Sequence, residues 1–315
     1  MLSSDGNQTP KESNERFVVI DGNHLIHRAF YAIRHPLKTS SGEQTNAIYG
    51  FASMLINIME LEKPDYLAMT FDMKAPTFRH NLHDGYKATR QKAPDELYAQ
   101  IPRIHEMVEK FNMPVFKKEG YEADDMMGTL AHKAEKEGLT TYIVTGDMDA
   151  LQLITPHIFV AFPHKGYKEP TVYDADKVFE KYGIRPDQVV DYKALMGDSS
   201  DNIKGVQGIG PKRASDLLKK YDHLEGVFGH VDELPSGIQE KIKKGQDDAF
   251  FSRKLAQILL DAPCEFSPEK ISVDHLDFVG MQQFFDELEM RSLKKRLSRI
   301  TPAGKDAPPD QMALF

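Results

Sequence analysis

The sequence of 315 residues has one cysteine, Cys264, which excludes an internal disulfide and a zinc site built from several cysteines. No apolar run approaches the roughly 18–20 residues that a membrane-spanning helix needs. Residues 1–16 are polar and lack the apolar core of a signal peptide. We therefore expect a cytoplasmic protein without a membrane partner, and we expect it to be a monomer.

Positive charge is also in short supply, because the formal net charge is −8. Taken alone, this value argues against a nucleic-acid partner. The charges are segregated, however: residues 74–118 contain nine Lys or Arg and five Asp or Glu, and residues 202–220 contain five Lys or Arg and one acid. Net charge is a poor guide to binding under such segregation. We expect acidic groups at one site and basic groups around it.

The hydrophobic fraction of 40% and the charged fraction of 28% are typical of a soluble globular protein. Short β-rich runs predict strands at residues 16–20, 65–71, 140–147 and 157–162. Helical periodicity predicts helices in the intervals, at residues 46–63, 95–111 and 123–137. This alternation predicts an α/β fold with a mostly parallel central sheet and helices on both faces.

The second part of the chain differs, since the strand signals stop after about residue 186. Helices are predicted at residues 187–196, 211–221, 235–244, 247–260, 281–289 and 291–299. We therefore predict an α/β domain at residues 16–186 and a smaller all-α domain at residues 187–299. Residues 1–15 are predicted to be a disordered tail and residues 300–315 a flexible one.

Acidic residues follow the predicted strands directly. Asp21, Asp72 and Asp147 each come immediately after a strand-like run, and the carboxyl ends of parallel strands share the edge where ligands bind. Six further carboxylates are placed within reach of that edge: Glu122, Asp124, Asp125, Asp149, Asp198 and Asp201. Taken singly, such an acid can instead be a helix cap, a turn residue or a partner of the helix dipole.

Nine carboxylates with one destination cannot all stay ionised and close together without cations. Oxygen ligands suit Mg²⁺ or Mn²⁺. Two such ions form the usual clamp for phosphodiester hydrolysis. The acids therefore predict a two-metal site.

The stretch "GVQGIGPKRASDLL" at residues 205–218 predicts a second site, which binds phosphate. Its glycines allow tight turns that expose N–H groups, and Pro211 favours a helix start behind them. Exposed N–H groups at a helix N-terminus bind anions. Val206 and Ile209 are expected to hold the hairpin by packing. The residues assigned to phosphate are Gly205, Gly208, Gly210, Lys212 and Arg213.

Five motifs closely resemble those of the 5′→3′ exonuclease domain of bacterial DNA polymerase I and of the flap endonucleases: "DGNHLIHRAFYA", "FDMKAPTFRHNLHDGYKATR", "GYEADD", "TGDMDALQL" and "MGDSSDNIKGVQGIGPKRA". The match covers roughly residues 16–295. It implies a PIN-like nuclease core and a helix–three-turn–helix DNA-binding subdomain. It also implies structure-specific cleavage of DNA with 5′ flaps, nicks or ends by two metal ions, in primer removal and repair near the nucleoid.

The resemblance implies roles for the acids. The first metal ion would be bound by Asp72, Glu122, Asp124 and Asp147, with Asp21 nearby and acting partly through water. The second ion would be bound on the side of Asp149, Asp198 and Asp201. Asp125 belongs to the same metal-binding set and would lie behind the direct ligands. Met148 stands where Lys is expected in many relatives, but it is not expected to be a ligand.

A helical arch over the active site is implied for about residues 80–112, with Arg79, Lys87 and Arg90 as catalytic residues. Lys87 and Arg90 are three residues apart, so on a helix they would share one face and contact the scissile phosphate. Tyr86 could stack on a base near the single-strand junction, and ordinary packing is its alternative.

The resemblance alone implies two further binding partners, a K⁺ ion and a sliding clamp. Backbone carbonyls of the glycine hairpin, at Val206 and Ile209, would bind K⁺. The C-terminal "QMALF" resembles peptides that dock in the bacterial sliding clamp, with Gln311, Leu314 and Phe315 as contact residues. The alternative is that this tail packs on its own domain or has no role.

Two other functions stay open. An aspartate-based phosphotransferase usually has a second acid two residues after its nucleophile, but Asn23 stands there after Asp21, and Lys74 after Asp72. A DNA-binding module without catalysis is the other, and the full set of acids argues against it. We expect a stand-alone protein rather than a piece of a polymerase, because no polymerase sequence follows Phe315.

Overall fold

The computed structural model describes residues 15–33 and 35–302. A six-stranded sheet with the order β3-β2-β1-β4-β5-β6 forms its centre. All neighbouring strands are parallel except β5 and β6, so the predicted mostly parallel sheet is confirmed. The strands are β1 (Arg16–Asp21), β2 (Tyr66–Thr70), β3 (Val115–Phe116), β4 (Thr140–Val144), β5 (Ile158–Phe162) and β6 (Thr171–Tyr173).

Helices connect the strands, and every described element after β6 is a helix. The first seven are α1 (Gly22–Ala32), α2 (Asn46–Glu62), α3 (Phe78–Leu82), α4 (Asp95–Tyr98), α5 (Ile101–Lys110), α6 (Ala123–Lys136) and α7 (Ala175–Tyr182). The others are α8 (Val189–Met196), α9 (Pro211–Tyr221), α10 (Leu224–Gly229), α11 (Ser236–Lys244), α12 (Gln246–Ala256), α13 (Pro268–Ile271), α14 (Phe278–Glu287) and α15 (Arg291–Ile300). Short 3₁₀ helices lie at Met148–Leu153, Pro186–Gln188, Val231–Glu233 and Val273–His275. None of these described helices is long and apolar enough to cross a membrane.

Both faces of the sheet are covered, as the alternation along β1 shows. Phe17 and Val19 pack into one apolar core with residues of α6 through α12. Val18 and Ile20 pack into a second core with residues of α1, α2, α4, α5, α14 and α15. Because successive side chains of a strand point to opposite faces, a strand buried on both faces reads as an unbroken apolar run. This is why "RFVVI" is recognisable in the sequence.

The sheet has a topological switch point between β1 and β4, which are neighbours although β2 and β3 come between them in the chain. In an open parallel sheet, a crevice forms at the carboxyl ends of strands that diverge from such a point. Asp21 ends β1, and Asp147 follows β4 after Thr145 and Gly146. The topology therefore delivers both aspartates to the crevice.

Several elements differ from the sequence-based expectations. The patterns did not indicate α1, β3, β6 or α7, of which β3 and β6 have only two and three residues. The helix predicted at residues 247–260 ends at Ala256. The last helices, α14 and α15, fall in the range predicted for the all-α domain, yet they pack on the α/β side through residues such as Phe284 and Leu293.

Candidate active site

A cavity of about 530 Å³ opens at the carboxyl ends of the central strands. Its lining includes four carboxylates, those of Asp21, Asp72, Asp124 and Asp147. Two basic residues, Lys87 and Arg90, also line it. The structure thus brings together four of the predicted metal ligands and two of the predicted catalytic residues.

Backbone and hydroxyl groups hold Asp21 and Asp147 in place. Asp21 accepts hydrogen bonds from the His24 N–H at 2.9 Å and from the Thr145 hydroxyl at 2.9 Å. The same Thr145 oxygen accepts the Asp147 N–H at 3.2 Å, so one threonine positions both acids. Asp147 in turn caps the following 3₁₀ helix by accepting the Asp149 N–H at 2.9 Å.

Asp72 is held between the two helices that begin at the crevice. Its Oδ1 accepts the N–H of Ala123, the first residue of α6, at 2.8 Å. Its Oδ2 accepts a hydrogen bond from the side-chain amide of Asn23, in α1, at 2.5 Å. A carboxylate at the N-terminus of a helix is stabilised by the N–H groups there.

The acids of the cavity share a strongly negative, poorly solvated environment. Burial raises the pKa of Asp21 to about 6, although the hydrogen bonds from His24 and Thr145 oppose the rise and the charges of Asp72 and Asp147 add to it. Burial also raises the pKa of Asp124, and the carboxylates of Asp147 and Asp21 raise it further. Such a site gains most from a cation placed among the oxygens.

A second group of acids lies beside the first. Within the described ranges, Asp149, Asp198 and Asp201 are the acids whose ligand atoms come within 4.8 Å of one another, as binding of one metal ion requires. The Lys193 ammonium bridges two of them, with contacts to Asp149 and, at 2.6 Å, to Asp198 Oδ2. Asp201 instead accepts a hydrogen bond at 2.6 Å from Arg90.

Two acids of the motif "GYEADD", Glu122 and Asp125, form a capping box at the start of α6. Each side chain accepts the backbone N–H of the other residue. Asp125 is fully buried, and its oxygens also accept hydrogen bonds from Arg79 and from the Leu259 N–H. A direct metal-ligand role for Asp125 is therefore corrected, because its oxygens are already used in the interior, and a place behind the ligands, in contact with Glu122, remains the prediction.

Arg79 needs the same correction. Its side chain is 2% exposed and forms a two-pronged pair with Asp125 at 2.7 and 2.8 Å. It also donates to the carbonyls of Leu255 at 2.9 Å and Gln257 at 2.5 Å. An arginine held in this way links α3, α6 and the end of α12 and does not reach a phosphate in the cavity.

Lys87 and Arg90 face the acids, but they do not lie on a helix. Residues 84–89 form turns, and Lys87 has a left-handed backbone with φ of 56°. The predicted shared helix face is therefore wrong, although both residues reach the site. Lys87 Nζ lies 2.9 Å from Glu122 Oε1, and Arg90 Nη2 lies 2.6 Å from Asp201 Oδ1.

Tyr86 is packed in the interior, which favours an ordinary packing role over base stacking. Its ring is 4% exposed, and its hydroxyl donates toward Glu122 at 3.1 Å and Asp201 at 3.2 Å. A ring enclosed in this way presents no free face to a DNA base. Its hydroxyl instead ties together one acid from each of the two groups.

The glycine hairpin connects α8 and α9, and its glycines are not equivalent. Gly205 is buried and its N–H donates to the Ser252 hydroxyl at 3.2 Å, so this N–H is not available to phosphate as expected. Gly208 is exposed, and Gly210 precedes α9, which begins at Pro211 as predicted. Val206 and Ile209 are buried, in accord with the expected packing role. The basic residues Lys212 and Arg213 are exposed.

Comparison with known proteins decides the family. Residues 16–183 match the family described as "5'-3' exonuclease, N-terminal resolvase-like domain". The chain belongs to the 5′-3′ exonuclease family. Residues 184–278 match the second part of the same family, described as "5'-3' exonuclease, C-terminal SAM fold". The resemblance seen in the motifs is thereby confirmed.

Curated relatives of this exonuclease-family chain include two bacterial proteins named DNA polymerase I. That of Caldicellulosiruptor bescii is 40% identical over 284 residues, and that of Bacillus subtilis is 41% identical over 289 residues. Each alignment covers 90% of this chain but only 33% and 32% of the relatives. The chain thus spans about a third of the length of the curated relatives it matches.

Solved structures share the fold at low sequence identity. The bacteriophage T5 D15 flap endonuclease, in a complex with DNA and metal ions, is 17% identical, with a TM-score of 0.64 over 91% of this chain and 98% of its own. Human GEN1, in complex with Holliday junction DNA, is 16% identical, with a TM-score of 0.56 over 91% of this chain and 72% of its own. These likenesses show that the fold is shared over 91% of the chain.

Some residues at this exonuclease-family site were not predicted. Asn23 and His24 line the cavity, and they stand two and three residues after Asp21 in the first motif. Lys193 carried a signal that could have found it, because it is a lysine inside the otherwise largely apolar helix "VVDYKALM". Gln311, Leu314 and Phe315, which the sequence predicts to bind a sliding clamp, lie outside the described residues.

Proposed function

We propose that the chain is a Mg²⁺- or Mn²⁺-dependent nuclease that hydrolyses phosphodiester bonds of DNA at 5′ flaps, nicks or ends. One observation carries this proposal. Asp21, Asp72, Asp124 and Asp147 converge on a single cavity whose lining also includes Lys87 and Arg90. Carboxylates for cations and bases for a phosphate are the two components that phosphodiester cleavage needs at one place.

The donor set fits hard divalent cations. Asp72, Asp124 and Asp147, with Asp21 close by, would hold the first ion, and Asp149, Asp198 and Asp201 would hold the second. Glu122 belongs to the first group, although its carboxylate is paired with Lys87. When bound, two such ions activate water and stabilise charge on the attacking and leaving oxygens. Burial, and after it the charges of Asp72 and Asp147, raise the pKa of Asp21, and a cation among these oxygens would favour the ionised form.

The basic residues would bind and orient the phosphate. Lys87 and Arg90 line the cavity, and each pairs with a carboxylate, that of Glu122 or Asp201, which a phosphate oxygen would replace. Arg90 keeps 49% of its side chain exposed, whereas Lys87 keeps 17%. We therefore assign Lys87 to the scissile phosphate and Arg90 to a phosphate nearer the cavity mouth.

Duplex DNA would be held at the glycine hairpin. The exposed Gly208, together with Gly210, Lys212 and Arg213, offers N–H groups and positive charge beside the N-terminus of α9. K⁺ bound through the carbonyls of Val206 and Ile209 would join protein and phosphate. These contacts are independent of sequence and would make binding sensitive to salt.

The relatives support a role in primer removal and repair. Two of them are named DNA polymerase I, and the T5 structure is a flap endonuclease with DNA and metal ions. We place the chain in the cytoplasm, at the nucleoid, as a monomer. Docking of the tail residues Gln311, Leu314 and Phe315 in a sliding clamp would concentrate it at replication sites.

Cleavage of a 5′-flap duplex tests the proposal. Asp147→Asn keeps an oxygen for the capping contact but removes a charge, so we expect cleavage in Mg²⁺ to vanish while the flap duplex still binds. Asp176→Asn, which changes an exposed acid of α7, is the matched control and should cleave normally. Wild-type cleavage in EDTA, or full activity of Asp147→Asn, would contradict the proposal. Binding without any cleavage by the wild type would favour the DNA-binding module instead.

A further inference from the structure

Lys193 is a buried lysine that the proposed chemistry does not use. It lies on α8, where every residue from Val189 to Leu195 is buried, and it is itself 4% exposed. Its ammonium contacts Asp149 and lies 2.6 Å from Asp198 Oδ2. An ammonium removed from water requires compensating charge, and these two carboxylates supply it.

Both oxygens of Asp198 are already in use. Lys193 donates to Oδ2 at 2.6 Å, and the N–H and hydroxyl of Ser200 donate to Oδ1 at 2.8 and 2.5 Å. The Lys193 ammonium thus already balances part of the negative charge of this group of acids.

We propose that the Lys193 ammonium occupies the carboxylate oxygens that bind the second divalent cation, so that the cation must displace it from Asp149 and Asp198. The inference rests on the proposed two-metal function. Asp149, Asp198 and Asp201 place ligand atoms within 4.8 Å of one another, and Lys193 contacts two of the three. An ammonium and a divalent ion on the same oxygens repel each other, so they compete.

The two cation sites differ in how many of their ligand carboxylates are paired with a basic side chain. At the first, Lys87 pairs with Glu122, and Asp21, Asp72, Asp124 and Asp147 line the cavity. The first ion therefore has four carboxylates that it can reach without displacing Lys87. At the second site Arg90 pairs with Asp201 at 2.6 Å, and Lys193 pairs with the other two acids. We expect the first ion to bind more tightly than the second, and we expect Lys193 to be the larger cause because it contacts two of the three acids.

Removing the ammonium should have two opposite effects. Without a divalent cation, buried carboxylates lose their partner, so the protein should melt at a lower temperature. With a divalent cation present, the second site no longer has to release a lysine, so that cation should bind more tightly. A purely structural salt bridge would produce the first effect without the second.

The test measures Mn²⁺ binding by calorimetry on the full chain without DNA. In Lys193→Met we expect the second site to bind about tenfold more tightly or better, with the first site unchanged. We also expect a lower melting temperature in EDTA that Mn²⁺ restores. Lys204→Met, which removes an exposed lysine of the same region, is the matched control and should leave both sites unchanged.

Equal second-site affinity in wild type and Lys193→Met would overturn the proposal, as would binding of a single Mn²⁺ by both. If Lys193→Met does not fold, Lys193→Gln replaces it. The wild type can also be labelled with ¹³C,¹⁵N-lysine, and one protected ammonium signal should then be lost at the second equivalent of Mn²⁺. Persistence of that signal would refute displacement. None of these readouts requires cleavage, so they fail separately from the nuclease proposal.

Discussion

Replacing Arg79 with methionine should destabilise the protein far more than it slows cleavage. The guanidinium pairs with Asp125 and donates to the carbonyls of Leu255 and Gln257. Removing one partner of such a buried pair costs about 3–5 kcal/mol, because the other charge is left buried and unpaired. At about 2 °C per kcal/mol in a chain of this size, Tm should fall by about 6–10 °C.

Urea unfolding followed by circular dichroism gives the direct measurement. We expect a lower midpoint for Arg79→Met with an unchanged slope, because the folded core stays equally compact. Arg79→Lys keeps the charge but loses the two-pronged geometry, so it should lie between wild type and Arg79→Met. Combining Arg79→Met with Asp125→Asn should cost less than the sum of the single changes, since the pair is shared. An unchanged midpoint with a large loss of cleavage would refute this reasoning and restore a catalytic Arg79.

Three further outcomes are expected. In EDTA, the stability of the folded state should fall as pH rises from about 4 to about 6, because the folded-state pKa of Asp21, about 6, exceeds the usual 3.8 and favours the protonated folded form. Thermal melts of Asp21→Asn should show a weaker dependence of Tm on pH. An equally strong dependence would exclude Asp21 as the cause. Lys87→Met should lower kcat for a flap duplex more than it weakens DNA binding, because a contact to the scissile phosphate strengthens in the transition state; equal losses in both would contradict this. Gly205→Ala should strongly destabilise the fold, because φ is +62° and an added Cβ would lie 2.2 Å from a backbone nitrogen. The control is Gly210→Ala, whose Cβ would meet no atom within 4 Å. Similar urea midpoints for the two variants would contradict the argument.

The acid cluster was predictable because it depends on topology. A parallel sheet delivers the residue after each strand to one edge, so Asp21, Asp72 and Asp147 could be placed from the strand pattern alone. The start of α9 at Pro211 was equally local, since proline fits the first position of a helix. The family motifs then carried the assignment that the comparisons confirm.

The conformation around Lys87 was not predictable from its neighbours. The Lys87 N–H donates to the Asp201 carbonyl at 3.0 Å, and the Asn202 side chain donates to the Gly85 carbonyl at 2.7 Å. Contacts made across more than a hundred residues thus set these turns, and a helical spacing rule does not see them. Burial of Arg79 has the same origin, since Asp125 and its other partners are distant in the chain.

The return of the last helices to the α/β body has a mechanical consequence. The chain leaves that body near Arg185 and comes back through Ile258, which packs against Gly128, and through Leu276 in the second core. The helical region that contains the glycine hairpin is therefore attached to the α/β body at both of its ends. Because helices α8 to α12 also share one apolar core with β1, the distance between the glycine hairpin and the acids is set by packing within a single body.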